Sequence, residues 1–374
     1  MTSTPHAHHR VPDIEQRVRV ACVMPYTLGI APSQRFRWEQ WAPILEQHGV
    51  ELDYVTFSTP EIARARAHGE TAKAVALSAA RYPAWVAELS RLRQADVVVV
   101  HRNAALAGPP LAELAIARSG KPLVFDFDDA IHLPPENSKN NALWRFVRSD
   151  YRAALLSREA TLVSVGNPNL AEFARGYNAN TVVWPTTVPL SVYTERPEPS
   201  PDAEPVIGWM GSPSTANYLV SLLPLLRELQ TKRRFRLLVV GASIDLQGVH
   251  GDCIAWTAET EVSSLHRMDI GLMPIPDTPW SRGKCAAKAI QYLGVGVPAV
   301  VSDVGVNGIA VPDGVAGFVV RTDAEWAMRL TQMLDDASLR RRLGKTGREH
   351  IAANYSAEAW APRIAATLQD LGSC

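Results

Sequence analysis

The sequence predicts an α/β protein built from two doubly wound domains that face a cleft. Three observations predict it. Short apolar runs rich in β-branched residues alternate with amphipathic segments, the rhythm of a parallel sheet covered on both faces. That rhythm stops at a proline-rich stretch and then restarts. The length, 374 residues, is enough for two or three cores at about 150 residues per domain.

Residues 1–17 are polar and punctuated by Pro5 and Pro12, and read as a disordered leader. The His6, His8 and His9 tract inside it is expected to fray rather than to hold a metal. The run at 18–26 is the first buried strand, and the helix after it carries Phe36, Trp38, Trp41 and Leu45. Strands follow at 50–57, 95–101, 122–127, 160–165 and 181–184, with helical segments between them, giving an N-terminal domain over 18–188. The stretch 185–205 holds six prolines among polar neighbours and has no hydrophobic period, so 189–205 reads as an interdomain linker. Strands at 205–211, 235–241, 269–275, 298–302 and 317–321, with helices near 217–230, 260–267 and 286–293, make a second domain over 206–355. Helices at 323–335, 338–353 and 357–371 complete the chain, the last within a separate segment, 356–374.

Composition narrows the function. Basic and acidic side chains balance at 38 each, which argues against a nucleic-acid partner or a polybasic membrane anchor. No apolar run approaches the roughly 18–20 residues of a bilayer span, and the N-terminus has no secretory apolar core. A cytoplasmic protein, with at most peripheral membrane contact, is expected. Cys22, Cys253, Cys285 and Cys374 form no CxxC pair and read as reduced, mostly buried thiols.

Ligands of open α/β sheets bind beyond the carboxyl ends of the strands, so the strand exits hold the candidates. The strand at 205–211 runs into Gly211, Ser212 and Ser214 ahead of a helix, a phosphate cradle or an ordinary serine cap. Arg282, Lys284 and Lys288 follow the strand at 269–275, with no acidic residue between them. Arg282 and Lys284 sit at or before a helix N-terminus, where the macrodipole disfavours cations unless an anion is held there; the alternative is a solvated turn. In the first half, Arg35 and Arg37 follow the opening strand, and Asp126, Asp128 and Asp129 with His132 follow the strand at 122–127. Three carboxylates in four residues are costly to pack unless something uses them, although Asp126 reads equally as a satisfied structural carboxylate and Asp129 as a cap.

Other motifs fail. Gly344-Lys345-Thr346 resembles a P-loop ending, but Leu339 occupies the position of the required glycine. Ser281 and Lys284 make an S-x-x-K spacing without its SDN or KTG companions. Neither GxGxxG nor GxSxG occurs, which weakens nicotinamide-enzyme and hydrolase readings.

The residues IGWMGSPSTANYL, DIGLMPIPDTPWSRGKCAAKAIQYLGVGVPAVVSDVGVN, GVAGFVV, TDAEW, LRRRLGKTGREH and NYS within 207–355 resemble a nucleotide-sugar-dependent glycosyltransferase of the two-domain GT-B type. The resemblance is to the large retaining set called group 1 or family 4, and PSQRFR and VFDFDDAI are similar to first-domain signatures of one bacterial subgroup of it. It implies an α/β GT-B fold of two Rossmann-like domains, a donor held by the second domain and an acceptor by the first. The last helix is similar to one that crosses back to brace the first domain.

By this resemblance Gly211 and Ser212 match the loop over the donor diphosphate, and Arg282 and Lys284 the cationic turn that steadies it on departure. Lys288 joins the donor side. Trp256 and Thr257 fall where relatives border the nucleobase, and Asp128 where many carry a histidine close to the transferred sugar. The sequence departs from the pattern at one place. Many relatives carry two glutamates eight positions apart; here these positions are Gly283 and Gln291. Gln291 still offers a hydrogen bond to a ribose hydroxyl, whereas Gly283 reproduces no carboxylate.

The implied reaction is metal-independent, cofactor-free transfer of a sugar from a UDP- or GDP-sugar to a saccharide or small natural-product acceptor, with retention. Asp128 would orient the nucleophile, helped by Arg35, Asp129 or His132, and closure about the hinge would exclude water. Two alternatives stand beside it: a non-catalytic nucleotide-sugar-binding partner of another transferase, motivated by Gly283, and a sugar-nucleotide epimerase of the same fold.

Overall fold

The computed structural model describes residues 17–106, 109–133, 149–198, 200 and 203–373. Apart from Arg17, the expected leader lies outside the described residues, as does Cys374.

The N-terminal sheet is made of β1 (Val18–Met24), β2 (Val50–Thr56), β3 (Val97–His101), β4 (Leu123–Phe127), β5 (Leu162–Val165) and β6 (Thr181–Val183), ordered β2-β1-β3-β4-β5-β6. The C-terminal sheet is made of β7 (Val206–Met210), β8 (Arg236–Val240), β9 (Gly251–Ile254), β10 (Ile270–Met273), β11 (Ala299–Ser302) and β12 (Gly317–Val320), ordered β12-β11-β10-β7-β8-β9. All pairings between these strands are parallel. The two halves are therefore the doubly wound α/β domains the sequence predicts.

The reason lies in the valine-rich runs. Every residue of β3 and β4 is buried, which requires helices on both faces. The two faces of the first sheet lie in separate apolar clusters, one around Phe57, Trp85 and Phe125, the other around Trp38, Trp41 and Val97. β9 went unseen in the sequence because it is a short edge strand, half-exposed, with Gly251 and Asp252 in place of an apolar run. The helix expected at 217–230 is two helices, Ala216–Val220 and Leu223–Gln230. Pro224 enforces the break, since its ring has no N–H to give and would clash with the carbonyl four residues back.

The proline-rich stretch is anchored along its first half. Thr187, Val188 and Tyr193 are buried. The Val188 N–H donates to the Tyr355 carbonyl at 3.0 Å, and the Ala357 N–H donates to the Val188 carbonyl at 3.0 Å. These bonds start the final helix, Ala357–Gly372, whose Ala361, Ile364, Ala365 and Leu368 pack into the N-terminal domain beside Trp38, Trp41 and Val20.

The helical stretch after β1 runs Pro32–Gln34, Arg35–Glu39 and Gln40–Gln47, and its middle part is wound as a π-turn. That turn aims Arg35 and Arg37 apart. Arg37 enters the N-terminal core, while Arg35 reaches the other domain.

Candidate functional site

Each sheet reverses its winding beside its first strand, between β1 and β3 and between β7 and β10. Ligand crevices of open α/β sheets form at such points. The loops leaving these four strands converge on one cavity of about 760 Å³, lined by Tyr26, Thr27 and Arg102 from the N-terminal domain and by Ser212, Ser214 and Met273 from the C-terminal domain. That volume lies within the roughly 300–1,000 Å³ of small-molecule sites.

The C-terminal wall is cationic. Lys284 and Lys288 line it with Cys285, Ala286 and Ala287. Ala286 precedes the helix Ala287–Gly294 in the left-handed region, φ 53°, and no side chain caps that helix. Its first-turn N–H groups thus have no side-chain cap, and Ala286, Ala287 and Lys288 at that end line the cavity, an arrangement that attracts anions. The Lys288 ammonium lies 5.6 Å from the centroid of the Trp209 ring. Burial, and then the neighbouring Lys284 charge, push its pKa down to about 8.

Gly211 is required where it stands. A Cβ there would come within 2.5 Å of the Trp209 ring and 2.8 Å of the Lys288 side chain. Beyond it, the Ser212 and Ser214 hydroxyls bond to each other at 2.8 Å on the cavity rim.

The N-terminal wall is acidic, with Asp128 and Asp129 beside Ser33 and Arg102. The Ser33 hydroxyl donates to Asp128, and Arg102 stands 3.8 Å from Asp128 and 3.7 Å from Asp129. Burial raises the Asp129 pKa, against the lowering influence of Arg102 and Lys284. Behind this wall lies Asp126, fully buried. It accepts from Arg37 through both oxygens, from the Trp38 indole at 2.9 Å and from Ser164, and it bonds His101 Nδ1 at 2.7 Å. Burial works against its charge, but Arg37 and the His101 bond outweigh burial and hold its carboxyl well below the usual carboxylate range. Asp126 is thus the satisfied structural carboxylate that the sequence left as one option.

The structure brings Asp128, Asp129, Ser212, Lys284 and Lys288 together around the cavity, with Gly211 directly behind its wall. It places the other sequence-predicted residues elsewhere. Arg282 and Lys284 part company: the Arg282 guanidinium is exposed and held by Asp277 at 2.7 and 2.9 Å, outside the cavity lining. Asp277 lies five residues upstream of Arg282, outside the acid-free stretch between the cations.

Arg35 lies outside the cavity lining, because the π-turn sends it across the domain boundary to a two-point pair with Glu261 at 3.0 and 2.6 Å. Trp256 belongs to the same cluster: its indole donates to Glu261 at 2.6 Å and its ring lies under Arg35 at 4.9 Å. Thr257 bonds Thr260 at 2.9 Å within an exposed turn. Gln291 is buried and spends its amide on the Tyr193 hydroxyl, at 3.4 Å, rather than on the cavity. His132 stacks on Phe173 with ring centroids 4.0 Å apart and is absent from the cavity lining. Burial lowers its pKa.

Gly283 has a packing reason. A Cβ there would fall 2.7 Å from the Ala130 Cβ of the other domain. The turn it belongs to is docked by first-domain amides: Asn167 donates to the Gly283 and Lys284 carbonyls, and Asn169 to the Arg282 carbonyl, at 2.8, 3.1 and 2.8 Å. A glutamate has no room at this contact.

Sequence reasoning missed Ser33, His101, Arg102, Glu261 and Asn167. His101 and Asp126 are register partners on adjacent strands, a relation that exists only once the strand order is known. Arg102 sits in the left-handed region, φ 64°, and such an outlier beside a cleft marks functional sites, but nothing in the sequence announces it.

A family model described as "Glycosyl transferases group 1" matches residues 204–336. No curated protein matches the chain in sequence. Among solved structures, sucrose-phosphate synthase from Thermosynechococcus elongatus superposes with a TM-score of 0.72 at 14% identity, covering 96% of this chain and 100% of that one. A glycosyltransferase from Rickettsia africae gives 0.66 at 13% identity, covering 96% and 99%. HepE from Anabaena, solved in complex with UDP and glucose, gives 0.64 at 15% identity, covering 95% and 100%. The chain therefore has the GT-B fold of two Rossmann-like domains, and its C-terminal domain carries the group 1 glycosyltransferase match.

Proposed function

We propose that the chain transfers a sugar from a nucleotide-diphosphate sugar to a small-molecule or saccharide acceptor, with retention of anomeric configuration and without a metal. The observation that carries this is the polarity of the cavity, where Lys284, Lys288 and an uncapped helix N-terminus stand opposite Asp128 and Asp129. In this reading the cationic wall holds the diphosphate and offsets the charge that grows on it as the bond to the sugar breaks, a preorganised electrostatic role. Asp128 faces the acceptor and takes up or orients its hydroxyl. The UDP-bound HepE fold supports a nucleotide donor. Ile30, Ala31 and Pro32 flank the acidic wall, which suits an acceptor with an apolar face.

The docking of Gly283 on Ala130 accounts for the lost glutamate by packing, which removes the motive for a non-catalytic partner. The test is a thermal-shift screen with UDP, GDP, UDP-glucose and GDP-mannose, followed by turnover assays with the stabilising sugar nucleotide. A ligand at about 100 times its dissociation constant stabilises by about 2.7 kcal/mol. Asp128→Asn is expected to lower turnover about 100-fold or more while leaving donor affinity near wild type. No stabilisation by any nucleotide, or unchanged turnover in Asp128→Asn, overturns the reading; the anomeric configuration of the product, read by proton NMR, decides retention.

A further inference from the structure

We propose that Ser33, His101 and Asp126 form a proton relay behind Asp128, carrying the acceptor's proton out of the cavity to a buried imidazole. The proposal rests on the transferase reading above and extends it to residues that reading does not use.

Four groups stand in an unbroken line. Asp128 on the cavity wall accepts from the Ser33 hydroxyl, Ser33 Oγ lies 2.7 Å from His101 Nε2, and His101 Nδ1 lies 2.7 Å from Asp126 Oδ2. His101 and Asp126 are each 0% exposed, whereas Ser33 and Asp128 line the cavity. Ser33 is thus the link between the imidazole and the reacting groups.

Proton counting gives the line a direction. Asp126 is kept anionic by Arg37 and filled with donors, so it receives the Nδ1 proton and has none to give. Ser33 has one proton and two neighbours able to accept it. With a neutral imidazole the hydroxyl serves Nε2, and the Asp128 carboxylate is free to accept. When the acceptor oxygen bonds to the anomeric carbon and the diphosphate leaves with its electron pair, the acceptor's proton passes to Asp128. Asp128 then hands a proton to Ser33 Oγ while Ser33 delivers its own to Nε2. The line ends with both imidazole nitrogens donating, Ser33 donating to Asp128, and Asp128 ionised again. No proton or electron is lost, and the imidazolium is balanced by the carboxylates on either side of it. Buried groups of this kind are costly unless every partner is matched, and here every partner is.

The same four groups without proton transfer would only hold Ser33 in place, so the experiment separates the two. The full chain is assayed for UDP release from UDP-glucose with water as acceptor, and histidine-labelled protein is followed by 15N NMR. Ser33→Ala leaves the His101–Asp126 bond intact. It is expected to lower kcat about 100-fold with KM for UDP-glucose within about twofold, and to reduce the solvent deuterium effect on kcat. Ser33→Thr, which keeps the hydroxyl, should restore most of the rate, and His101→Gln should match Ser33→Ala, with thermal melts showing that each variant is folded. In the NMR arm, His101 of the resting wild type is expected to carry its proton on Nδ1 alone, facing Asp126, with Nε2 free to accept from Ser33. Wild-type kcat in Ser33→Ala overturns the relay, as does a resting wild-type His101 already protonated on Nε2, which would have no place for the acceptor's proton. If UDP-glucose is neither bound nor turned over by the wild type, the transferase reading fails for that donor while the NMR arm still decides the relay.

Discussion

The side-chain amide of Asn167 in the N-terminal domain donates to the main-chain carbonyl of Gly283 in the C-terminal domain at 2.8 Å. The same amide accepts from the Leu170 N–H at 2.9 Å and so caps its own helix, Pro168–Arg175. Both ends of the amide are committed, which fixes its orientation. One residue thereby ties a first-domain helix to the turn that carries Lys284.

Gly283→Glu should therefore open the cleft rather than restore a missing contact. Even a Cβ at this position meets Ala130 at 2.7 Å, and overpacking of that kind costs about 1–3 kcal/mol. Small-angle scattering should show a larger radius of gyration for the variant, together with weaker UDP binding. An unchanged radius with tighter binding would return Gly283 to the donor site.

The two cations of the 282–284 turn should differ in their effect on nucleotide affinity. Lys284→Ala and Lys288→Ala each remove a charge that lines the cavity. A hydrogen bond to a charged group contributes about 1.5–3 kcal/mol, so UDP affinity should fall about 10- to 100-fold in each. Arg282→Ala, which frees only Asp277, should leave UDP affinity within about threefold, below the low end of that range. Calorimetric titration of the three variants checks the ranking.

The displaced pKa of Lys288 gives a pH signature. Burial moves it from 10.5 to about 8 in the empty protein, and a bound diphosphate should draw it back up. Between those values binding takes a proton from solution, and above about 8 affinity should weaken as the free site loses its charge. Without ligand the sign of the stability effect is opposite: the unfolded chain holds the proton longer, so the Lys288 contribution to stability rises with pH across the same window. Titrations with UDP at pH 6.5 and 8.5, in buffers of different ionisation enthalpy, count the protons; equal counts at both values would contradict the assignment.

Asp126→Asn should be among the most destabilising single changes in the N-terminal domain. It leaves the Arg37 guanidinium buried with no carboxylate beside it, and breaking such a pair costs about 3–5 kcal/mol. Because the folded pKa of Asp126 lies well below its unfolded value, its stabilisation is complete above about pH 4 and is lost only as the pH falls toward the folded value. Urea denaturation of the wild type and the variant at pH 7 measures the difference.

By itself the sequence determined the two-sheet plan, strand by strand except for β9, since a fully buried parallel strand must be written as a continuous apolar run and helices between such strands must be amphipathic. It also determined which loops matter, because a strand's exit is fixed once the strand is, and Ser212, Lys284, Lys288, Asp128 and Asp129 all lie on such exits. Only the tertiary structure decided where the long side chains on those exits point. Arg35 and Arg37 are two residues apart yet enter different domains, Arg282 and Lys284 are two apart yet only one lines the cavity, and His101 meets Asp126 through strand pairing alone. Apolar periodicity is a local property, legible along the chain. The partner of a charge is set by desolvation and by whichever opposite charge folding brings within reach, and that neighbour is as often far away in sequence as near.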